Sequence, residues 1–96
     1  DGHAHMEGAL RHADFWLRRI AMLHQLGWRG DTDARWLFDA ALALAHEDEF
    51  FIRKAVGWAL RDYAHHAPAA VTAFANAHRQ RLSALSYREA LKHQPR

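Results

Sequence analysis

Apolar residues recur at three- and four-residue steps in five stretches of the chain, and this spacing predicts five helices. The clearest stretch is FFIRKAVGWALRDY, from Phe50 to Tyr63. At about 100° per residue, Phe51, Ile52, Ala55, Val56, Ala59, Leu60 and Tyr63 gather on one face. Arg53, Lys54, Gly57 and Arg61 gather opposite, with Trp58 beside Lys54 and Arg61 at the seam. Glycine inside a helix costs about 1 kcal/mol relative to alanine, so Gly57 needs a reason. Two readings are open: a solvated Arg/Lys face in which Gly57 eases helix packing, or a cationic strip whose backbone is approached closely by a phosphodiester chain.

The remaining helices follow from caps and breakers. The first is expected from Asp14 to Leu26, with Asp14 accepting from orphan backbone donors and Gly27 ending it. GWRGDTD forms a turn, and a second helix starts after Asp31 to Asp33 and continues to His46. Its Trp36, Leu37, Phe38, Leu42 and Leu44 wrap most of the circumference, leaving Arg35, Asp39 and His46 as a polar side, so it is expected to be the most enclosed element. Glu47, Asp48 and Glu49 precede the third helix, where they favour its dipole. Pro68 opens the fourth, which carries Val71, Phe74 and His78 and ends near Arg79 to Arg81. Ser86 and Glu89 have the spacing of a capping box for a short fifth helix through Lys92.

Short connections favour antiparallel neighbours, which pairs helices one with two and three with four, the fifth beginning another pair. The expected fold is therefore all-α, with antiparallel hairpins stacked as a partial α-solenoid over residues 14–93. Residues 1–13 are expected to be a flexible segment or expression remnant, and 94–96 a frayed tail. A stack that ends on an incomplete pair exposes an apolar face, so the chain is expected to be the C-terminal part of a larger solenoid or to self-associate through uncovered repeat ends.

Composition sharpens this picture. At 96 residues the chain can bury one modest core, and abundant Ala with only two Pro and five Gly favours helix. Thirteen Lys and Arg against eleven Asp and Glu give a formal charge of +2, so nucleic-acid affinity would have to come from a local patch. The absence of Cys excludes disulfides and thiolate metal sites. No apolar run approaches the roughly 20 residues that span a bilayer, and a soluble, intracellular protein is expected. Among nine His, neither His3 with His5 nor His65 with His66 has the spacing of a closed zinc site, and no metal or other cofactor is expected. His24 is expected to satisfy a backbone group, and Trp16, Trp28 and Trp36 are read as core or loop-packing residues.

One charged residue stands out on the first helix. Trp16, Leu17, Ile20, Leu23 and Leu26 form its apolar stripe, widened by Phe15 and Met22, and Arg19 projects into that stripe, while Arg18 sits on the outer edge with Gln25. A guanidinium there is costly unless paired or wet. Either the head snorkels to water, or Arg19 lines a hollow and holds an anion.

The segments WLRRIAMLHQL and EFFIRKAVGWALRDY carry a family resemblance, joined by the D-T-D start of the second helix with WLF after it, the A-P-A-A-V entry to the fourth, and RLSALSYREALKH. From about Phe15 to His93 the chain resembles the C-terminal part of the AlkD family of DNA alkylation repair glycosylases. The resemblance implies HEAT-like repeats whose concave basic face cradles duplex DNA containing purines alkylated at N3 or N7, and an activity that hydrolyses the N-glycosidic bond of these cationic bases. The sugar develops positive charge in that reaction, which a fixed carboxylate stabilises. Arg19 matches the second Arg of the W-L-R-R motif, which contacts DNA at the lesion, and Trp58 matches the Trp of K-A-I-G-W, which lines the site. Lys54 and Arg61 are added from helical geometry as DNA contacts. The family's catalytic Asp lies in a W-W-D-x-V-D type segment that has no counterpart here. Asp14, Asp31, Asp33, Asp39, Asp48 and Asp62 do not match it. No catalytic residue is assigned, and the chain by itself is expected to show little or no glycosylase activity. The location implied is cytoplasmic, at the nucleoid. The alternative is a non-catalytic helical-repeat module that binds DNA backbone or a protein.

Overall fold

A computed structural model describes residues 2–92, with side chains from His5 onward. It contains α1 (Gly2–Leu10), α2 (Phe15–Leu23), a 3-10 turn (Arg29–Asp31), α3 (Ala34–Ala43), α4 (Phe50–Ala64), α5 (Pro68–Ala77) and α6 (Ala84–Ala90), and no strand among the described residues. The fold is all-α, as the periodicity predicts. Helices α2, α4 and α6 lie side by side in that order, α1 packs on α2, and α3 and α5 pack across the row. Phe38 of α3 and Phe74 of α5 stack face to face at 4.4 Å. The shortest dimension is 18 Å, about two helix diameters, as expected of stacked helical hairpins. No helix among the described residues is long and apolar enough to cross a membrane.

Local chemistry explains the boundaries. Asp14 caps α2 by accepting from Trp16 N at 2.9 Å, and Asp33 caps α3 by accepting from Trp36 N at 3.0 Å. Glu49 caps α4, and Pro68 occupies the first turn of α5. Helix α2 stops at Leu23 rather than Leu26 because its bonding tightens to three-residue steps, His24 N to Ala21 O and Leu26 N to Leu23 O. Gly27, at φ +84°, completes the reversal. The same tightening, Ala45 N to Leu42 O and Glu47 N to Leu44 O, ends α3 at Ala43 instead of His46, while α5 ends at Ala77 with a four-residue bond from His78 N to Phe74 O.

Three expectations are corrected. Residues 2–10 form a helix, and Leu10 is buried in the core with Met6 and Ala9 packed against it, so this segment does not lie outside the fold. The HQPR tail and the His3 side chain lie outside the described residues. Helix α4, not α3, is the most enclosed element: seven of its fifteen residues are buried, against three in α3. Finally, α6 is capped by Ser83, whose Oγ accepts from Ser86 N at 3.0 Å. Ser86 and Glu89 therefore sit inside the helix and are buried, which frees them for another purpose.

That purpose is docking α6 onto α4. Ser86 Oγ donates to Arg53 O at 2.8 Å, and Glu89 faces Lys54 and Arg61. A Cβ placed at Gly57 would meet Glu89 Cβ at 2.5 Å and Ser86 O at 3.3 Å. Gly57 is therefore a helix-packing glycine, and α6 occupies the space considered above for a phosphodiester backbone. Fully buried Ala21, Ala41, Ala55, Ala75 and Ala90 allow close approach elsewhere, while Met22, Leu37, Ile52, Val56, Leu60 and Val71 fill the centre.

Gly57→Ala should be destabilising, because overpacking costs about 1–3 kcal/mol and outweighs a helix-propensity gain of about 1 kcal/mol. Gly8→Ala, with nothing within 4 Å of the added methyl, should stabilise; urea midpoints check both.

Burial raises the Glu89 carboxyl pKa, but the hydrogen bond from Lys54 and the charges of Lys54, Lys92 and Arg61 outweigh burial and hold it below its ordinary value of 4.5. Its folded-state pKa is thus below its unfolded one, so its stabilisation is complete above the unfolded value and is lost as pH falls through the folded value. Denaturation series from pH 7 to pH 3 should show a shallower acid decline in Glu89→Gln than in the parent chain.

Candidate nucleic-acid interface

Arg19 on α2 reaches the first turn of α4, where its Nη1 donates to Phe51 O at 3.0 Å. That carbonyl has a second lone pair for its helical bond, so the contact fixes the guanidinium without breaking α4. Three rings surround the charge: its Cζ lies 5.4 Å from the Trp16 ring, 5.9 Å from Phe51 and 5.4 Å from Trp58. Each such contact contributes about 0.5–1 kcal/mol at an exposed site. All these partners are neutral, and among the described residues no carboxylate pairs with Arg19. The positive charge at Arg19 is therefore placed by the fold and left uncompensated.

Two of these three rings, Trp16 and Phe51, are open to solvent together with the neighbouring Phe50, while Trp58 is half-buried. Trp16 is 50 % exposed, Phe50 54 % and Phe51 46 %. Phe15, Trp16 and Phe51 pack edge and face on one another with centroids 6.1–6.4 Å apart. Trp16 thus belongs to the surface around Arg19 and not to the core, correcting its reading as a packing residue. Its position three residues before Arg19 places both on one helix face, which was the signal available in the sequence.

Trp58 lies beside Arg19, and Lys54 Nζ approaches its ring from within α4 at 5.3 Å. The structure therefore brings Arg19, Trp58 and Lys54 together. It does not leave Lys54 and Arg61 as a free cationic ridge: Glu89 Oε1 accepts from Lys54 at 3.3 Å and Oε2 from Arg61 at 2.9 Å. Arg53, the remaining cation of that face, donates to Glu47 O and Asp48. Sequence reasoning missed Glu89 because the capping-box spacing assigned its carboxylate to a helix end.

Arg18 is also no bystander. Its Nη1 donates to His12 O and Ala13 O at 2.8 and 2.9 Å, and Nη2 donates to Glu47 at 3.0 Å. It ties the α1–α2 turn to the α3–α4 loop. Its companion Gln25 is buried and exchanges two bonds with the Asp33 backbone. His24 Nδ1 lies 2.7 Å from Ala21 O, the backbone role expected for it.

An open hollow beside Trp58 is lined by Leu26, Trp58, Arg61, Asp62 and His65. Asp62 is committed to the loop above it, accepting from Gly27 N at 2.8 Å and facing Arg29 at 4.0 Å. Asp14 and Asp33 are caps, Asp39 and Asp48 face Arg35 and Arg53, and Asp31 lies in the 3-10 turn. The arrangement offers a fixed cation and aromatic faces, which suit a planar, anionic or polyanionic ligand. Among the described residues, no carboxylate lining the hollow is left uncommitted, since Asp62 is engaged by Gly27 and Arg29. Among the described residues, no group of three His, Asp or Glu could hold a metal ion.

Comparison with known proteins gives this surface a context. The sequence profile of the family described as "DNA alkylation repair enzyme" matches residues 1–94. A structure from Enterococcus faecalis, described as a "predicted DNA alkylation repair enzyme", superposes with a TM-score of 0.86 at 29 % identity over 99 % of this chain. The match covers 46 % of that longer chain, so the present sequence spans about half of its length. No curated protein matches the chain. The chain belongs to the DNA alkylation repair enzyme family.

Proposed function

We propose that this chain supplies part of the duplex-DNA-binding face of an alkylpurine DNA glycosylase, as the C-terminal portion of an AlkD-like protein. The observation that carries the proposal is the uncompensated Arg19 guanidinium, held by Phe51 O and framed by Trp16, Phe51 and Trp58. Arg19 holds a phosphate in this reading. The aromatic faces contact the damaged nucleotide, because ring quadrupoles attract a cationic N3- or N7-alkylated purine. Trp58 remains a proposed lesion contact beside Arg19, and Trp16 and Phe51 join it. Lys54 and Arg61 are left out as direct contacts, since Glu89 engages both. Hydrolysis itself requires a carboxylate facing the sugar, and that group is assigned to a segment outside this chain. In this reading the protein acts in the cytoplasm, associated with the nucleoid.

A second reading, a non-catalytic module for a protein partner or another copy, draws on the exposed Trp16, Ile20, Leu26, Trp28, Phe50 and Phe51. Salt separates the two readings. If Arg19 meets phosphate, duplex affinity should fall with rising salt, and Arg19→Ala should weaken binding several-fold and make the slope of log affinity against log salt shallower by about 1. Trp58→Ala should weaken binding with little change in slope. Binding that ignores salt and both substitutions would contradict the DNA reading and favour the protein-contact one.

Incubated with methylated duplex DNA, the 96-residue chain should release no free 7-methylguanine or 3-methyladenine above the spontaneous rate. Release at an enzymatic rate would show that a carboxylate within this chain suffices.

A further inference from the structure

Behind Trp58, one carboxylate holds two cations. Glu89 is 8 % exposed, and each of its oxygens takes one partner: Oε1 accepts from Lys54 Nζ at 3.3 Å, Oε2 from Arg61 Nη1 at 2.9 Å. Lys54 and Arg61 are seven residues apart on α4, with Trp58 between them. The Lys54 ammonium that donates to Glu89 is also the one 5.3 Å from the Trp58 ring centroid, while Arg19 stands 5.4 Å from the same ring. Gly57 lets the Glu89 stem come against the α4 backbone immediately before Trp58, and Ser86 adds a separate bond from α6 to Arg53 O at 2.8 Å.

We propose that Glu89 is a positioning residue that sets specificity at this surface: from α6 it holds Lys54 and Arg61 back from DNA phosphates and fixes the Trp58 ring. In its DNA-facing half the proposal rests on the function proposed above. Without the carboxylate, Lys54 and Arg61 repel one another and turn outward, and Trp58 loses the ammonium packed on it. The consequence is directional. Neutralising Glu89 strengthens sequence- and lesion-independent attraction to any duplex, since each freed cation that reaches a phosphate adds about 0.9 to the magnitude of the salt slope. It also loosens the indole that distinguishes a damaged nucleotide from an ordinary one.

The test compares Glu89→Gln with Ser86→Ala, which loosens α6 without touching either cation, and with Arg19→Ala. In the free chain, the Trp58 indole N–H resonance, assigned through Trp58→Phe, should move in Glu89→Gln and stay in Ser86→Ala. In binding, Glu89→Gln should steepen the salt slope for unmodified duplex by about 1–2 and lower the ratio of affinities for a 7-methylguanine duplex over an unmodified one. A folded Glu89→Gln chain with an unmoved Trp58 resonance and an unchanged slope would overturn the proposal, as would a Ser86→Ala chain reproducing every effect. If the parent chain binds no duplex, or Arg19→Ala binds as well as the parent, the function proposed above fails. The free-chain resonance still decides whether Glu89 positions Trp58, movement supporting it and constancy overturning it. Should Glu89→Gln not fold, Glu89→Asp keeps the charge but shortens the reach to both cations, and its Trp58 resonance is judged by the same criterion.

Discussion

Helix α6 can lie against α4 only because position 57 has no side chain. The space a methyl group would fill is taken by the Glu89 stem, and from there Glu89 reaches Lys54 and Arg61 while Ser86 reaches the Arg53 carbonyl. A helix-breaking residue in the middle of the longest helix is thereby turned into a docking site. Because α4 also packs on α2, α3 and α5, the geometry of this contact bears on a helix that touches most of the other helices among the described residues. The small residues of the core serve the same end, since backbones separated only by alanine and glycine pack close with little side-chain entropy to lose.

Charge is handled in two ways on the same molecule. Arg18, Arg53, Lys54 and Arg61 are each matched by a carboxylate from Glu47, Asp48 or Glu89, so their main effect is to fasten loops and helices together. Arg19 is matched by a backbone carbonyl and three ring faces. Those partners hold it in place without cancelling its charge, which is what a surface that meets a phosphate needs. The local contrast matters more than the formal charge of +2 for the whole chain, and a reader of composition alone would not find it.

Periodicity and caps made most of the helices legible. Asp14, Asp33, Glu49 and Pro68 act at helix starts as elementary backbone chemistry requires. Helix ends were harder, because whether a last turn continues or tightens depends on competitors such as the His24 ring at Ala21 O. Helix α1 was missed because its polar, glycine-containing sequence gives little periodic signal, and it is held by Leu10 against the core. The site divides along a similar line. Arg19 and Trp58 were legible as a charge and an indole on adjacent helices, and they do meet. The fate of Lys54 and Arg61 was not, because it turns on where α6 begins. With the cap at Ser83 instead of Ser86, Glu89 moves from a helix end to a buried face, and a presumed DNA-facing strip becomes a helix–helix contact.

Duplex titration of the nitrogen-15-labelled chain, followed through the indole N–H resonances of its four tryptophans, tests most directly whether the Arg19 surface meets DNA. Trp58 and Trp16 should shift together in a saturable, salt-sensitive manner, while Trp36, half-buried on α3 against His24, stays in place. Movement of Trp36 with Trp58 and Trp16 unchanged at saturation would contradict the assignment of this surface to DNA.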